Sequence, residues 1–181
     1  MSTMNPKIDE RIRTAFQRNA RAVTLRPAIG QKTAVTRARL TEGLRCEVED
    51  GRWKLVSDSS EKSGGTGAGP DPGMIGRAAL AACLAIGYRT WAAHLGVPVS
   101  GVEVEVQADF DARGQYGVEG VSPGYGEIRC VVRVESDASE AEVARVVEAA
   151  DNASMYWDVF ARPQKLVRQL TVTRPADQGG G

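Results

Sequence analysis

Histidine is almost missing from this chain: His94 is the only one in 181 residues. A Ser-His-Asp triad or a multi-histidine metal site is therefore hard to build. Cysteine is scarce too. Cys46, Cys83 and Cys130 are an odd number with no CxxC spacing, which argues against a disulfide scaffold or a zinc site and for a reducing cytoplasm. Excess charge is absent, with 23 basic and 23 acidic residues and no basic patch, so nucleic acid is not an expected partner. No apolar run approaches the ~18 residues of a membrane span. The N-terminal residues, MSTMNPKIDERIR, lack the apolar core of a secretory signal, and Asp9 and Glu10 count against a transit peptide.

What is present is one domain with an extension. Ile8, Ile12, Ala15 and Phe16 lie on one stripe of a helix expected from Asp9 to about Arg21. Residues 1–30 thus form a helical arm and linker that packs on the body or on a partner subunit. Residues 31–175 form the domain and 176–181 a Gly-rich tail. Three short strands open the domain, at Thr33–Leu40, Leu44–Val48 and Trp53–Ser57, with a hairpin turn at Asp50-Gly51. Ser57 to Gly69 is a Ser- and Gly-rich loop of a length that is often functional or mobile.

A long helix follows over Pro70–Leu95. Asp71 is its N-cap, Pro72 its first residue, Gly96 its C′ residue, and Pro98 blocks continuation. Ala79, Leu80, Cys83, Ile86, Gly87 and Thr90 follow helical spacing, which places Cys83 on a buried-type stripe where Gly87 admits another helix. Val102–Phe110 and Ile128–Val134 alternate apolar and polar residues as half-buried strands do. Ser139 and Glu142 form a capping box for a second helix that continues, with a blurred pattern after Asp151, to Phe160. Lys165–Thr173 is expected as a last strand. Antiparallel strands with helices on one side make the fold class α+β.

Cys46 and Cys130 sit on inward strand faces and behave as small core residues. Cys83 is the candidate reactive thiol, and a reactive thiol needs a stabilised thiolate. Its own helix offers none. The helix N-terminus is too distant, Arg77 and Arg89 are each turned about 120° away, and His94 lies about 16 Å along the axis. Activation has to come from another segment or another subunit.

The run GTGAGPDPGMIGRAALAACLAIG resembles the signature of the OsmC and organic hydroperoxide resistance family. There a Gly-rich loop and a proline precede the first catalytic cysteine by eleven residues, as Pro72 precedes Cys83 here. The likeness extends through VEVEVQADFDARG and covers about residues 33–174. It implies an OsmC-like fold, an intertwined homodimer whose sites combine residues of both subunits, and no cofactor. It also implies a cysteine that attacks an organic hydroperoxide and a second that resolves the sulfenic acid. By this resemblance Cys83 is the peroxidatic thiol. Glu61 is the acidic partner, and Arg45, preferred over Arg39, is the activating arginine. The resolving position falls on Ser154, which cannot close a disulfide, while Cys46 and Cys130 lie on strands away from that helix. The resemblance therefore implies either a one-cysteine peroxidase that uses an external thiol reductant or a non-catalytic dimer that binds a small apolar ligand.

Overall fold

The computed structural model describes residues 6–172. Among the described residues, twelve segments of helix and strand divide into two small antiparallel sheets and a helical layer. Helix α1 spans Pro6–Leu25, a few residues longer at each end than the apolar stripe predicts, and a 3-10 turn at Pro27–Gly30 follows it. Strands β1 (Arg37–Glu42), β2 (Arg45–Asp50) and β3 (Trp53–Ser57) form a meander in that order. The β2–β3 loop is Gly51-Arg52, closed by the Asp50–Trp53 pair, with Gly51 at φ 55°. Glycine occupies that left-handed conformation without strain.

Helix α2 (Pro72–Leu95) starts and stops as its caps dictate. The Asp71 carboxylate accepts the Met74 N–H at 3.0 Å. Gly96, at φ 73°, donates its N–H to the Ala92 carbonyl. Strands β4 (Gly101–Phe110) and β5 (Tyr125–Glu135) pair antiparallel from Gly101–Glu135 to Phe110–Tyr125. The connection between them carries a one-turn helix, α3 (Ala112–Gln115), capped by Asp111. On the wet face of this sheet Arg129 bonds Asp109 and Glu127, and Arg133 lies near Glu103 and Glu105.

Helix α4 (Glu140–Asn152) opens with the reciprocal Ser139–Glu142 capping box. The helix expected to run on to Phe160 instead breaks. Ala153 leaves helical geometry and Ser154 starts a new helix, α5 (Met155–Ala161), by accepting the Trp157 N–H. Residues 165–172 are irregular rather than a strand, and Leu166, Val167, Leu170 and Val172 are largely exposed. A strand needs a neighbouring edge to satisfy its N–H and C=O groups, and this segment pairs with none of the edges that the two sheets leave open. Thr173 and the tail lie outside the described residues.

The core lies between α2, α4 and the β4–β5 sheet. Leu80, Leu84, Tyr88 and Ala150 form one cluster, and Ala92, Val97, Val99 and Val146 a second. This corrects the stripe expected on α2. The buried line is Leu80, Leu84, Tyr88 and Ala92, whereas Ile86 is 67% exposed and Cys83 sits half-buried on the flank. Helix α2 is apolar nearly all round, so helical spacing alone could not select the face. Gly87 meets α4 of its own chain, where a Cβ would stand 3.9 Å from that of Ala150.

Helix α1 lies on the outside of α2. Asp9 is ion-paired with Arg89, and the Phe16 ring lies 5.2 Å from Trp91 and 4.2 Å from His94 between centroids.

Candidate functional site

Cys83 is in the middle of α2, and the break between α4 and α5 brings Ser154 to it. The Cys83 Sγ and Ser154 Oγ are 3.6 Å apart. Ser154 Oγ already accepts the Trp157 N–H at 3.2 Å, so its own proton can turn to the sulfur. The side chain that caps α5 is thus also the polar neighbour of the thiol. Among the described residues this is the polar side-chain contact that Cys83 makes.

The other candidate residues lie elsewhere in the chain. Arg45, on β2, is exposed and ion-paired with Glu47 at 2.8 Å. Arg39 on β1 stands opposite the same Glu47 in the strand register. Glu61 opens a 3-10 turn, Glu61–Ser63, and is exposed. Neither Arg45 nor Glu61 hydrogen-bonds Cys83 within the chain. All three cysteines are free thiols. Cys46 is half-buried on β2 and Cys130 on β5. Cys130 is closer to the second helical unit than its strand position suggested. It lines a cavity of about 160 Å³ with Leu80, Ile128, Trp157 and Phe160. Burial, reinforced by the charge of Asp151, pushes its thiol up.

Two groups that the sequence did not single out shape the surroundings. Asp58 is buried and gathers the loop that the sequence left open as functional or mobile. Its carboxylate accepts the N–H groups of Ser59, Thr66 and Ala68 and the Thr66 hydroxyl. The Thr66 hydroxyl first, then the backbone N–H groups, hold this carboxyl down to about 2 against the cost of burial. Ser57 completes the closure by donating to the Pro70 carbonyl at 2.9 Å. The loop therefore delivers the N-terminus of α2 in a fixed position. A carboxylate that begins a Ser/Thr/Gly-rich run was the available sequence signal. Tyr88, also buried, donates to Asp151 at 2.8 Å. Burial raises both groups, and the Tyr88 hydrogen bond partly offsets the shift at Asp151.

No group of three or more His, Cys, Asp or Glu side chains among the described residues could hold a metal ion. No described helix is long and apolar enough to cross a membrane.

The family whose model matches the chain is "OsmC-like protein", over residues 65–167. Among solved structures, the chain is similar to an OsmC-like protein from Mycoplasma pneumoniae, at 18% identity and TM-score 0.62, over 72% of this chain and 89% of that one. It is similar to an organic hydroperoxide resistance protein OsmC from Legionella pneumophila, described as a predicted redox protein. That match has 18% identity and TM-score 0.54, covering 71% and 89%. A third is a putative osmotic stress induced and detoxification response protein from Psychrobacter arcticus, at 12% identity and TM-score 0.55, covering 71% and 88%. At these identities the likeness carries the fold. No protein in the curated set matches the sequence.

Proposed function

The chain belongs to the family of OsmC-like proteins, and on that premise we propose that it reduces organic hydroperoxides through the single thiol of Cys83, with an external thiol as reductant. The observation that carries this reading is the Cys83–Ser154 contact at 3.6 Å. A hydroxyl that accepts from a helix N-terminus can turn its proton toward the sulfur and donate to it when the sulfur is a thiolate.

The chemistry balances as follows. The Cys83 thiolate attacks the terminal peroxide oxygen, so an S–O bond forms and the O–O bond breaks. The alkoxide takes up a proton and leaves as the alcohol, with sulfur oxidised to the sulfenic acid. An external thiol attacks that sulfur and water departs, leaving a mixed disulfide. A second external thiol then displaces Cys83 and leaves as the oxidised disulfide. Ser154 stands where a resolving sulfur would be needed and has none to give, which is why the reductant is external.

The working form in this proposal is a homodimer, and Glu61 and Arg45 serve as partner groups supplied across the subunit boundary. Apolar side chains left bare on the single chain support a second copy. Ile86 lies one turn beyond Cys83, Met155 is beside Ser154, and Leu166 and Leu170 are more than 80% exposed. The reducing cytoplasm fits a cycle that depends on small thiols.

The test is the rate of Cys83 oxidation by cumene hydroperoxide and by hydrogen peroxide, followed by intact mass, with Cys83→Ser as control. Fast oxidation that favours the organic peroxide and disappears in the control is the expected result. A rate no better than a free thiol's would overturn the reading and leave a dimeric protein that binds a small apolar molecule.

A further inference from the structure

A cleft of about 880 Å³ opens between the Asp58 loop, the start of α2 and the β4–β5 connection. Arg77 stands in it, half-buried, with Nη1 donating to the Tyr125 hydroxyl at 3.2 Å. Unlike Arg45, Arg113, Arg129 and Arg162, Arg77 takes part in none of the ion pairs among the described residues. Its partner is neutral, so most of the guanidinium fork is left to meet an anion.

The site is shaped around Gly73. A Cβ there would stand 3.0 Å from Asp71 Oδ1, 3.2 Å from Arg77 Nη1 and 3.6 Å from the Tyr125 hydroxyl. The missing side chain leaves a polar floor where these three groups converge. Phe110, Tyr116 and Tyr125 supply aromatic walls, with the Phe110 and Tyr125 rings edge to face at 6.3 Å.

We infer that this cleft binds a small aromatic carboxylate, its charge on Arg77 and its ring against the Phe110–Tyr125 wall. One guanidinium flanked by Asp71 matches a monoanion; a dianionic phosphate would face the Asp71 charge with only one cation to offset it. Asp58 does not compete for Arg77, because its oxygens are taken up by its own loop. The site is separate from Cys83, which is six residues further along α2, about 9 Å in rise and turned about 120°.

The experiment titrates 2-naphthoate and the uncharged 2-naphthylmethanol into the full chain by calorimetry. The expected result is binding of 2-naphthoate at least tenfold tighter than the alcohol, weakened by salt. The preference disappears in Arg77→Gln, survives in part in Arg77→Lys, and falls in Gly73→Ala as the floor fills. Circular dichroism confirms that each variant is folded, and Arg77→Lys carries the comparison if Arg77→Gln is not. Equal affinity for the two probes, a preference that persists in Arg77→Gln, or no binding of 2-naphthoate at millimolar concentration overturns the assignment. Repeating the titration in Cys83→Ser separates this outcome from that of the hydroperoxide test, since binding here does not need the thiol.

Discussion

Ser154 Oγ lies 3.6 Å from Cys83 Sγ and at the same time caps α5 through the Trp157 N–H. One hydroxyl joins the middle of α2 to the start of α5, across seventy-one residues of sequence.

That relationship predicts what a second sulfur would do. In Ser154→Cys the new thiol meets Cys83 at a distance that a small rotation of each side chain closes to a bond. Under a mild oxidant the variant is expected to lose two hydrogens in intact mass and to mask two thiols, both reversed by dithiothreitol. It also loses the oxygen cap of α5, at a cost of about 1 kcal/mol. If the thiol count does not change on oxidation, the two positions are not adjacent in solution.

Ser154→Ala isolates the hydroxyl. Loss of the donor is expected to slow oxidation of Cys83 by cumene hydroperoxide about threefold to tenfold, the kinetic equivalent of roughly 1 kcal/mol. Cys46 and Cys130 should be unaffected, as site-resolved alkylation would report. An unchanged rate would assign Ser154 to capping alone.

The Asp58 carboxyl, held down to about 2, carries a pH signature. A carboxyl depressed in the folded state stabilises above its unfolded value near 4 and loses that contribution as pH falls through about 2. The native chain should therefore lose stability between about pH 4 and pH 2. Asp58→Asn puts an amide where three N–H groups and a hydroxyl expect an acceptor. It should melt several degrees lower at neutral pH and lack that part of the acid slope. Parallel melts of the two proteins check it.

Tyr88 gives the opposite sign. Its hydroxyl is buried against Asp151 and its ionisation is pushed up. A group raised in the folded state contributes stability below its unfolded value, near 10, that is lost as pH rises. The native chain should weaken above about pH 10. Tyr88→Phe should be less stable by about 1–3 kcal/mol at neutral pH, because Asp151 loses its donor. The gap to the native protein should narrow in alkali, as urea melts at pH 7 and pH 10.5 would show.

Helix α1 depends on the Phe16–Trp91–His94 stack and the Asp9–Arg89 pair. Phe16→Ala should cost about 1–2 kcal/mol of docking for a half-buried ring. Brief trypsin treatment is then expected to cut at the arginines of α1 and spare the body. Resistance equal to that of the native chain would show that the stack does not hold the helix.

Much of the architecture was written locally. The Asp71-Pro72 start and Gly96 stop of α2, and the Ser139–Glu142 box of α4, are chemical instructions that act within a few residues. The alternation in β4 and β5 is of the same kind, and each stands where the sequence put it. The spacing from Pro72 to Cys83 was equally legible. Other decisions needed partners from distant segments. Helix α2 is apolar on almost every side, so only the packing of α4 and the β4–β5 sheet selected Leu84 and Tyr88 for the core and left Ile86 outside. The apolar residues between Leu166 and Val172 suggest a strand, but the segment pairs with neither sheet of the chain, and a strand exists only where it is paired. Ser154 could be placed opposite Cys83 by resemblance, yet its double role exists only because α4 ends at Asn152 and a new helix starts at Ser154. Asp58 is marked locally only by the Ser/Thr/Gly-rich run it begins, and its role is defined by the loop that folds over it; Arg77 carries no local signal, since it is set apart by the carboxylate it does not have.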